Sequence, residues 1–481
     1  MEFSTFPRLH WIDLSIIVLF LVVNSIVGFF VFRKHKPKSD AEDFILAGRS
    51  LTLPAFVATL VTMWYGGVLG VGEYSYDKGI VMWVVFGIPY YASALIFAFV
   101  LARRVNSDRG NSTIADRLRS TYGEKAGYLG AGIVFFITSP AGYIMTLGTL
   151  YQWFFGIDTV WGMLIAVITP VAYLLLGGLR APVSADKLRF LAMFLGFAVI
   201  LPFAYQRFGG VAFITSHVPA THLKPAGGLS PWYIAVWYII ALSTLVDPNV
   251  NTRVFAAHTP RIAKQGLILS VLCWLVFDLM TNVAGLYARA AFATLPASRF
   301  AYPALAQAVL PIGLQGLFYV GLLSSELSAV DAFTFTSATI VGHDILWRLF
   351  GKGDTTRVKH YTRYGLVVTA IVSLAIILVT PKIYIIWYAL GSILVPAILF
   401  PLTFSYFKSL RPSNLAAILS MIAGVTGSLA IYIIGIARGT MVNPIYLWGM
   451  EPIYAGLILS FGVLLAERCL RIIYDQARGS N

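Results

Sequence analysis

The residues Gly321 to Ile345, GLLSSELSAVDAFTFTSATIVGHDI, are mostly apolar and, as a helix, long enough to cross a bilayer. They also carry polar side chains that a lipid-facing helix would not tolerate, because acidic groups at membrane depth normally face a bundle interior or a wet cavity. Ser324, Ser328 and Asp331 share one helical face at i, i+4 and i+7. This face is either an ion path or a polar contact between helices.

The composition is that of a polytopic membrane protein. Of the 481 residues, 58% are hydrophobic and 12% are charged, whereas roughly a quarter of a soluble domain is charged. Apolar runs of about 18 residues or more recur along the chain, and each must be helical to satisfy its backbone groups internally. We predict an all-α protein with about thirteen transmembrane helices. Their ranges are 12–32, 53–75, 80–102, 127–154, 160–177, 188–205, 232–251, 266–286, 312–345, 366–379, 384–406, 413–436 and 453–466.

Basic residues are distributed unequally between the two sides of the predicted membrane. The segments that follow odd-numbered spans carry 27 of the 35 Lys and Arg residues. Because cytoplasmic loops are enriched in Lys and Arg, this bias predicts a cell-membrane protein with its N-terminus outside and its C-terminus in the cytoplasm. The net charge of +14 follows from the same bias, so we do not infer a nucleic-acid partner.

Two predicted spans are interrupted. Glycines between Gly66 and Gly72 break span two, and span seven is broken between Ser243 and Pro248. Spans two to six start on the inside and spans seven to eleven start on the outside, so a repeat between them would be inverted. Such a pair of broken helices predicts a transporter with its site where they meet. Within a single transporter domain, 1–481, we assign 11–34 to an extra N-terminal helix, 52–207 and 232–408 to the two repeats, and 412–474 to two C-terminal helices.

Five segments resemble signatures of the sodium:solute symporter family. They are DFILAGRSL (43–51), NSTIADRLRSTYG (111–123), GGLRAPVSADKLRF (177–190), NTRVFAAHTPRIAKQG (251–266) and LSAVDAFTFTSATIVGHDI (327–345). The resemblance implies a LeuT-type fold with a five-plus-five inverted repeat, and secondary active import of a small solute with sodium. This chain departs from the family pattern at Arg189, where Gln is usual, and at Ala329, where a second hydroxyl is usual.

The resemblance also implies an ion site. Relatives hold sodium with hydroxyls at the position of Ser328 and the residue after it, and with a carbonyl-type ligand one turn earlier, here at Ser325. Because Ala329 lacks a hydroxyl, the set has one oxygen fewer, and a hard cation such as sodium prefers about five or six oxygen ligands. The Ser325 hydroxyl or a water could replace it.

Two backbone carbonyls of the first broken helix complete the implied site. An ungapped alignment places them at Leu60 and Met63, and a one-residue gap places them at Val61 and Trp64.

Three carboxylates are candidates for the ion path or for coupling: Asp186, Glu326 and Asp331. The resemblance places Asp186 on the cytoplasmic side of the ion exit route, but it could equally neutralise Lys187 or Arg189 at the interface. Because a buried carboxylate can hold a proton near neutral pH, protons on such groups could drive transport instead of sodium.

We place the solute between the two interrupted helices. The candidate substrate-binding residues are Trp64, Tyr65, Gly66, Glu73, Ser243, Thr244 and Asp247. The pair Trp64–Tyr65 would suit stacking on a ring or packing against an aliphatic solute, although aromatic residues also fill cores.

The leading prediction is therefore a sodium-driven symporter of a small polar or organic solute. The alternatives are a proton-driven transporter of the same fold and an intramembrane transferase. The longest predicted external loops, 209–231 and 290–311, contain no Asp or Glu, which argues against a transferase, and no nucleotide-binding loop of the type GxxxxGK[ST] is present. We expect no cofactor besides Na⁺ or H⁺, partners limited to the solute and membrane lipid, and a monomer that suffices for transport.

Overall fold

The structure is a computed structural model that describes residues 9–34, 41–379, 383–441 and 443–479. These residues form helices joined by short loops, with an isolated β-bridge between Leu51 and Ala257. In chain order the helices are α1 (Trp11–Lys34), α2 (Ala41–Leu46), α3 (Leu53–Trp64), α4 (Val68–Lys78), α5 (Trp83–Asn106), α6 (Ile114–Tyr122), α7 (Glu124–Ile137), α8 (Ala141–Phe155), α9 (Thr159–Gly177), α10 (Arg180–Phe208), α11 (Val211–His217), α12 (Pro231–Ile240), α13 (Pro248–Ala256), α14 (Pro260–Ala291), α15 (Ala301–Val309), α16 (Leu314–Thr339), α17 (Val358–Val379), α18 (Ile383–Ser405), α19 (Asn414–Arg438) and α20 (Pro452–Gly479).

Side-chain caps and prolines define where several helices begin. Thr113, Asp247 and Thr259 each accept a hydrogen bond from an N–H in the first turn of α6, α13 and α14, respectively. Pro248 and Pro260 occupy the first position of α13 and α14, where the missing N–H has no helical partner to lose. The second interrupted span therefore restarts abruptly at α13.

The prediction of an all-helical membrane protein is confirmed, but the count of thirteen spans is not. Within the described part of the chain, ten helical segments are long and apolar enough to cross a membrane, and the bent pair α3–α4 adds an eleventh if it is one span. The predicted fifth and ninth spans are also helices. However, the apolar part of α9 is short, and α16 carries many hydroxyls and two carboxylates, which lowers its hydropathy.

Both predicted interruptions are present. The axes of α3 and α4 differ by 55° across the break at Tyr65–Gly67. In the second case α12 ends at Ile240, a 3₁₀ turn follows at Ala241–Leu245, and α13 starts at Pro248. The backbone is thus irregular at two places inside the helical bundle.

Helix α16 forms the centre of the bundle and is buried along nearly all its length. It packs against α3, α10 and α1, and its crossing with α10 is close because a β-carbon on Gly196 would lie 3.0 Å from the Gly321 Cα. The prediction of a single uniform helix over residues 312–345 is incomplete. The regular α-helix ends at Thr339 and continues as wider π-helical turns, Ile340–Trp347.

Helix α1 is joined to this centre by two polar contacts. The Asp13 carboxylate accepts hydrogen bonds from the N–H groups of Gly313 and Gly316, at 2.8 and 2.7 Å, and so caps the start of α16. Further along α1, the Asn24 side-chain oxygen accepts a hydrogen bond from Arg189 Nε at 2.8 Å. The extra N-terminal helix is therefore an integral part of the core.

The family-like segments meet at one end of the bundle. Arg49, buried and in a left-handed turn with φ 50°, donates to the backbone oxygens of Asn111 at 2.8 Å and Phe255 at 3.2 Å. Close by, Leu51 N–H donates to the Ala256 carbonyl at 3.0 Å. The segment that precedes α3 is thus hydrogen-bonded to the end of α13. Three of the five family-like segments meet at this point.

Candidate solute and ion site

The first helix break lies directly against α16. A β-carbon added to Gly66 would lie 1.9 Å from the Ala329 Cβ and 3.0 Å from the Tyr143 ring. No larger residue fits here, so Gly66 brings the unwound backbone into contact with α16. The contact falls on the position where the family usually carries its second hydroxyl.

The break releases backbone carbonyls from α3. The N–H groups of Tyr65 and Gly66 both donate to the Met63 carbonyl. In a regular helix these two N–H groups would donate to the carbonyls of Val61 and Thr62. Because they donate to Met63 instead, the Val61 and Thr62 carbonyls do not accept them. Leu60 lies in the regular part of α3. This geometry favours Val61 over Met63 as a ligand, which corresponds to the alignment with a one-residue gap.

Ser328 of α16 contacts the end of α3 at Thr62. Its hydroxyl donates to the Thr62 hydroxyl at 3.1 Å, and Thr62 in turn donates to the Ala58 carbonyl at 2.6 Å. The Ser325 hydroxyl is also fully buried, but it donates to the Leu322 carbonyl of its own helix at 3.0 Å. Ser328 and Thr62 therefore provide a pair of hydroxyl oxygens between α16 and the break.

Two of the three candidate carboxylates share a buried guanidinium. Arg189 Nη1 lies 3.1 Å from Asp186 Oδ1 and 2.7 Å from Asp331 Oδ2, and all three side chains are fully buried. The pairing of Asp186 with Arg189 that the sequence offered as an alternative is present, but it is fully buried rather than at the interface, and Asp331 joins the same pair.

Neighbouring helices complete this cluster. Tyr173 of α9 donates to Asp331 Oδ1, and Thr59 of α3 donates to Asp186 Oδ2 at 2.6 Å. A second buried guanidinium, Arg253 of α13, lies 3.4 Å from the Thr59 hydroxyl. The cluster thus connects α10 and α16 to both broken helices.

Glu326 differs from the other two acids. It is fully buried, and within the described ranges neither of its carboxylate oxygens has a hydrogen-bond partner. It lies one turn before Ala329 on α16 and interacts electrostatically with Tyr143. Because an unpaired buried charge is costly, this carboxyl group is suited to bind a proton or a cation.

The second break contributes polar groups to the same region. Asp247 is half-buried, caps α13 by accepting the Val250 N–H at 2.8 Å, and interacts electrostatically with Tyr143. The buried Thr244 hydroxyl has no partner among the described residues. Ser243 is half-buried, and its carbonyl accepts the Val246 N–H at 2.9 Å.

Aromatic rings surround these acids. The Trp64 ring stacks on Trp274, with centroids 4.7 Å apart, and meets the edge of Tyr90 at 5.4 Å. Tyr90 also interacts electrostatically with Asp247. Trp64 therefore belongs to a group of rings that reaches the second break.

Tyr65 points elsewhere, although it follows Trp64 directly. Its hydroxyl lies 2.9 Å from both the Trp274 carbonyl and Asp278 Oδ1, and Tyr91 also donates to Asp278. Tyr65 thus anchors the break to α14, and Asp278 acts as a contact between helices. Glu73, partly buried, lies beyond the break in α4.

Comparisons with known proteins agree with this geometry. Residues 44–424 match the sequence model of the sodium:solute symporter family. The chain belongs to the sodium:solute symporter family. It is thus a multi-pass transporter of small solutes, and the interpretation as an intramembrane transferase is wrong.

Several characterised members align along most of this symporter. The high-affinity choline transporter 1 of Drosophila melanogaster is 25% identical over 88% of this chain and 69% of its own length. The osmoregulated proline transporter OpuE of Bacillus subtilis is 22% identical over 92% and 93%. The sodium/glucose cotransporter 4 of Mus musculus is 23% identical over 73% and 58%.

Solved structures support the LeuT-type fold of the symporter. A Na⁺-coupled sialic acid symporter superimposes with a TM-score of 0.76 at 16% identity, covering 96% of this chain and 97% of that one. A nucleobase-cation-symport-1 family transporter gives a TM-score of 0.56 at 13% identity, with coverage of 90% and 95%.

Several residues of the site were not predicted from the sequence. Thr59 and Thr62 were detectable in principle, because they lie two turns and one turn, respectively, before Gly66 in the symporter's α3. Arg189 was named as a possible partner of Asp186, three residues before it, but its contact with Asp331 was not predicted. In contrast, Tyr90, Tyr143 and Trp274 come from separate helices, and nothing local marks them.

A second group of potential metal ligands lies at the far end of the symporter's α16. Oxygen and nitrogen atoms of Asp116, His343 and Asp344 approach within 4.8 Å of one another. However, Arg348 and Arg119 lie 2.8 and 3.2 Å from Asp116 Oδ1. With two guanidinium groups on the same carboxylate, this is an ion-pair network that joins α6 to α16.

Proposed function

We propose that the symporter imports a small organic cation together with sodium. The observation that carries the proposal is the pair of acids beside the helix breaks: neither Glu326 nor Asp247 forms an ion pair with any described residue. A solute that brings its own positive charge would compensate them.

The surrounding rings fit the same solute class. Alkylammonium groups bind over aromatic faces, with tryptophan the strongest partner. The Trp64 ring contacts both Trp274 and Tyr90, so a bound solute requires the Trp64 ring to move away from these neighbours. The choline transporter of Drosophila melanogaster, whose named solute is a quaternary ammonium, is among the aligned relatives.

We place the sodium ion between α16 and the first break. The Ser328 and Thr62 hydroxyls and the released Val61 carbonyl supply neutral oxygens, and Asp186, which interacts with Ser328, supplies negative charge. Ser325 is available if its hydroxyl turns away from Leu322. Oxygen-only coordination of this kind suits a hard cation.

Proton coupling is the second candidate, and Glu326 favours it. A fully buried carboxyl group without a hydrogen-bond partner is stable when protonated and could carry the driving ion itself. In that case the solute need not be a cation.

The remaining architecture is proposed from the sequence. The N-terminus lies outside the cell membrane and the C-terminus in the cytoplasm. Residues 52–207 and 232–408 form the inverted repeats of one domain, and a single chain in contact with lipid suffices for transport without a nucleic-acid partner.

Uptake into proteoliposomes tests the proposal. The purified symporter is reconstituted, and uptake of labelled choline, proline, glucose and sialic acid is measured under a sodium gradient alone and then a proton gradient alone. We expect choline uptake under the sodium gradient. Uptake of only neutral or anionic solutes would contradict the organic-cation proposal, and uptake under the proton gradient alone would favour the second candidate.

Substitution of Glu326 tests the role of its charge. In Glu326→Gln we expect the Km for choline to rise roughly thirtyfold or more, because loss of one member of a buried charge pair costs about 2 kcal/mol or more. Sodium binding should persist. The control Glu124→Gln removes a carboxylate whose side chain is 66% exposed, and it should transport normally. An unchanged choline Km in Glu326→Gln would refute the assignment.

A further inference from the structure

Asp186 and Asp331 form a pair of buried carboxylates of the kind that binds a cation. Here the cation is the side chain of Arg189. One guanidinium nitrogen, Arg189 Nη1, bridges the two carboxylates at 3.1 and 2.7 Å. The other nitrogens are also engaged: Nε donates to Asn24 at 2.8 Å, and Nη2 lies 3.3 Å from the Tyr173 hydroxyl. With these four groups converging on it, the guanidinium is held in one place.

Charge counting shows what Arg189 compensates. Asp186 and Asp331 carry two negative charges, while Arg189 and the nearby Arg253 carry two positive charges, so the cluster is neutral. All four side chains are fully buried. Two carboxylates cannot remain ionised side by side in a buried site without a compensating cation. A neutral residue at position 189 would therefore leave one carboxylate that requires a proton or a metal ion.

We propose that Arg189 is a built-in cation that occupies a cation site formed by Asp186 and Asp331, so that transport of the solute is coupled to one sodium ion, the one bound near Ser328. The inference rests on the proposed sodium coupling. It also gives a physical meaning to the departure from the family pattern at position 189, where the usual Gln is neutral.

Two matched variants test this idea. Arg189→Gln leaves the cluster with one negative charge in excess, whereas Arg189→Gln combined with Asp331→Asn restores neutrality. Equilibrium binding of ²²Na⁺ is measured on purified protein at about pH 8.5 and again at about pH 6. We expect the single variant to bind one more sodium ion than wild type at the higher pH, so that the measured stoichiometry rises from about one to about two sodium ions per chain. At the lower pH a proton should displace that ion. The double variant should bind as wild type does.

A stability measurement tests the inference even if the variant folds poorly. If Arg189→Gln is unstable, its melting temperature should rise with sodium far more than that of the double variant, because an ion that binds only the folded state stabilises it. A single variant whose binding and stability gain no dependence on sodium or pH would overturn the inference, as would two bound sodium ions in wild type. Wild type that binds no sodium would refute the proposed coupling, whereas an extra site in the variant would still support the role of Arg189.

Discussion

At the scale of single residues, Ala329 and Gly66 form the contact on which the ion site depends. The Ala329 methyl group fills the space where a Gly66 side chain would lie, so the break and α16 touch without an intervening hydroxyl. Ser328, one residue earlier, faces the Thr62 hydroxyl at 3.1 Å. The chain therefore offers one hydroxyl from α16 where the family usually offers two.

Restoring the missing hydroxyl should strengthen sodium binding. In Ala329→Ser the added oxygen lies beside the unwound backbone and can join the ligands, so we expect the sodium concentration for half-maximal uptake to fall severalfold, about 0.5–1.5 kcal/mol for one added oxygen contact. Sodium titration of solute uptake measures this. Ala329→Cys, of similar size but with a weak ligand for a hard cation, is the control. Equal sodium dependence in both variants would argue against this ion position.

At the scale of elements, the break itself was predictable because glycine and proline mark it, at Gly66 in span two and Pro248 in span seven. The directions of individual side chains were not. Trp64 and Tyr65 are adjacent and chemically similar, but the first joins the aromatic group and the second turns to Asp278. That difference arises because the helix unwinds after Trp64, and no local pattern shows which way the next ring points.

Contacts between residues of distant helices could not be predicted from local sequence patterns either. Asp186 and Arg189 are three residues apart and their pairing was foreseen as an alternative. The contact of Arg189 with Asp331 depends on the crossing of α10 with α16, set by the close approach of Gly196 and Gly321. From the sequence, Asp331 was assigned to the ion path. Only the tertiary structure shows that it is one of two carboxylates paired with Arg189.

Substitution at the break tests its packing. We expect Gly66→Ala to lose transport and to lower stability by about 1–3 kcal/mol, because its methyl group would overlap that of Ala329. Adding Ala329→Gly should recover much of both. Gly132→Ala, on α7 with no atom within 4 Å of the added carbon, should behave as wild type. Thermal melting and uptake provide the measurements, and full activity of Gly66→Ala alone would show that the break is not in this contact.

At the scale of the whole molecule, the two ends of the first broken helix are held by different chemistry. The start of α3 is clamped by Arg49 and the pairing of Leu51 with α13. The end of α4 is covered by the loop around His222, whose carbonyl accepts the Ile80 N–H at 2.8 Å and whose Nε2 lies 3.0 Å from the Tyr76 carbonyl. Movement of the start of α3 and movement of the end of α4 therefore require different contacts to break.

The contact at His222 should weaken in acid. Burial lowers the pKa of His222, partly offset by the Tyr76 carbonyl; Asp77, Lys78 and Arg289 are the charged groups that face it. Because the folded pKa lies below the ordinary value of about 6.5, the contact is fully stable above that pH and loses stability as the pH falls below it. Amide exchange at Ile80, corrected for intrinsic rates, should be faster at about pH 5.5 than at about pH 7.5.

A variant that cannot titrate provides the control for this pH effect. In His222→Gln the corrected exchange rate at Ile80 should be the same at both pH values. Equal protection at both pH values in wild type would show that protonation of His222 does not loosen the loop.

The contacts of α1 have a consequence for biosynthesis. This helix is made before its partners, because Asp13 pairs with Gly313 and Asn24 pairs with Arg189. At roughly 5–20 residues per second, the 300 residues between Asp13 and Gly313 take on the order of 15–60 s to translate. Until then the Asp13 carboxylate lacks its final partners, whereas Asn24 can pair earlier, once Arg189 has been made. The nascent chain must shelter the Asp13 carboxylate during that interval, so α1 cannot complete its docking before the start of α16 has been made.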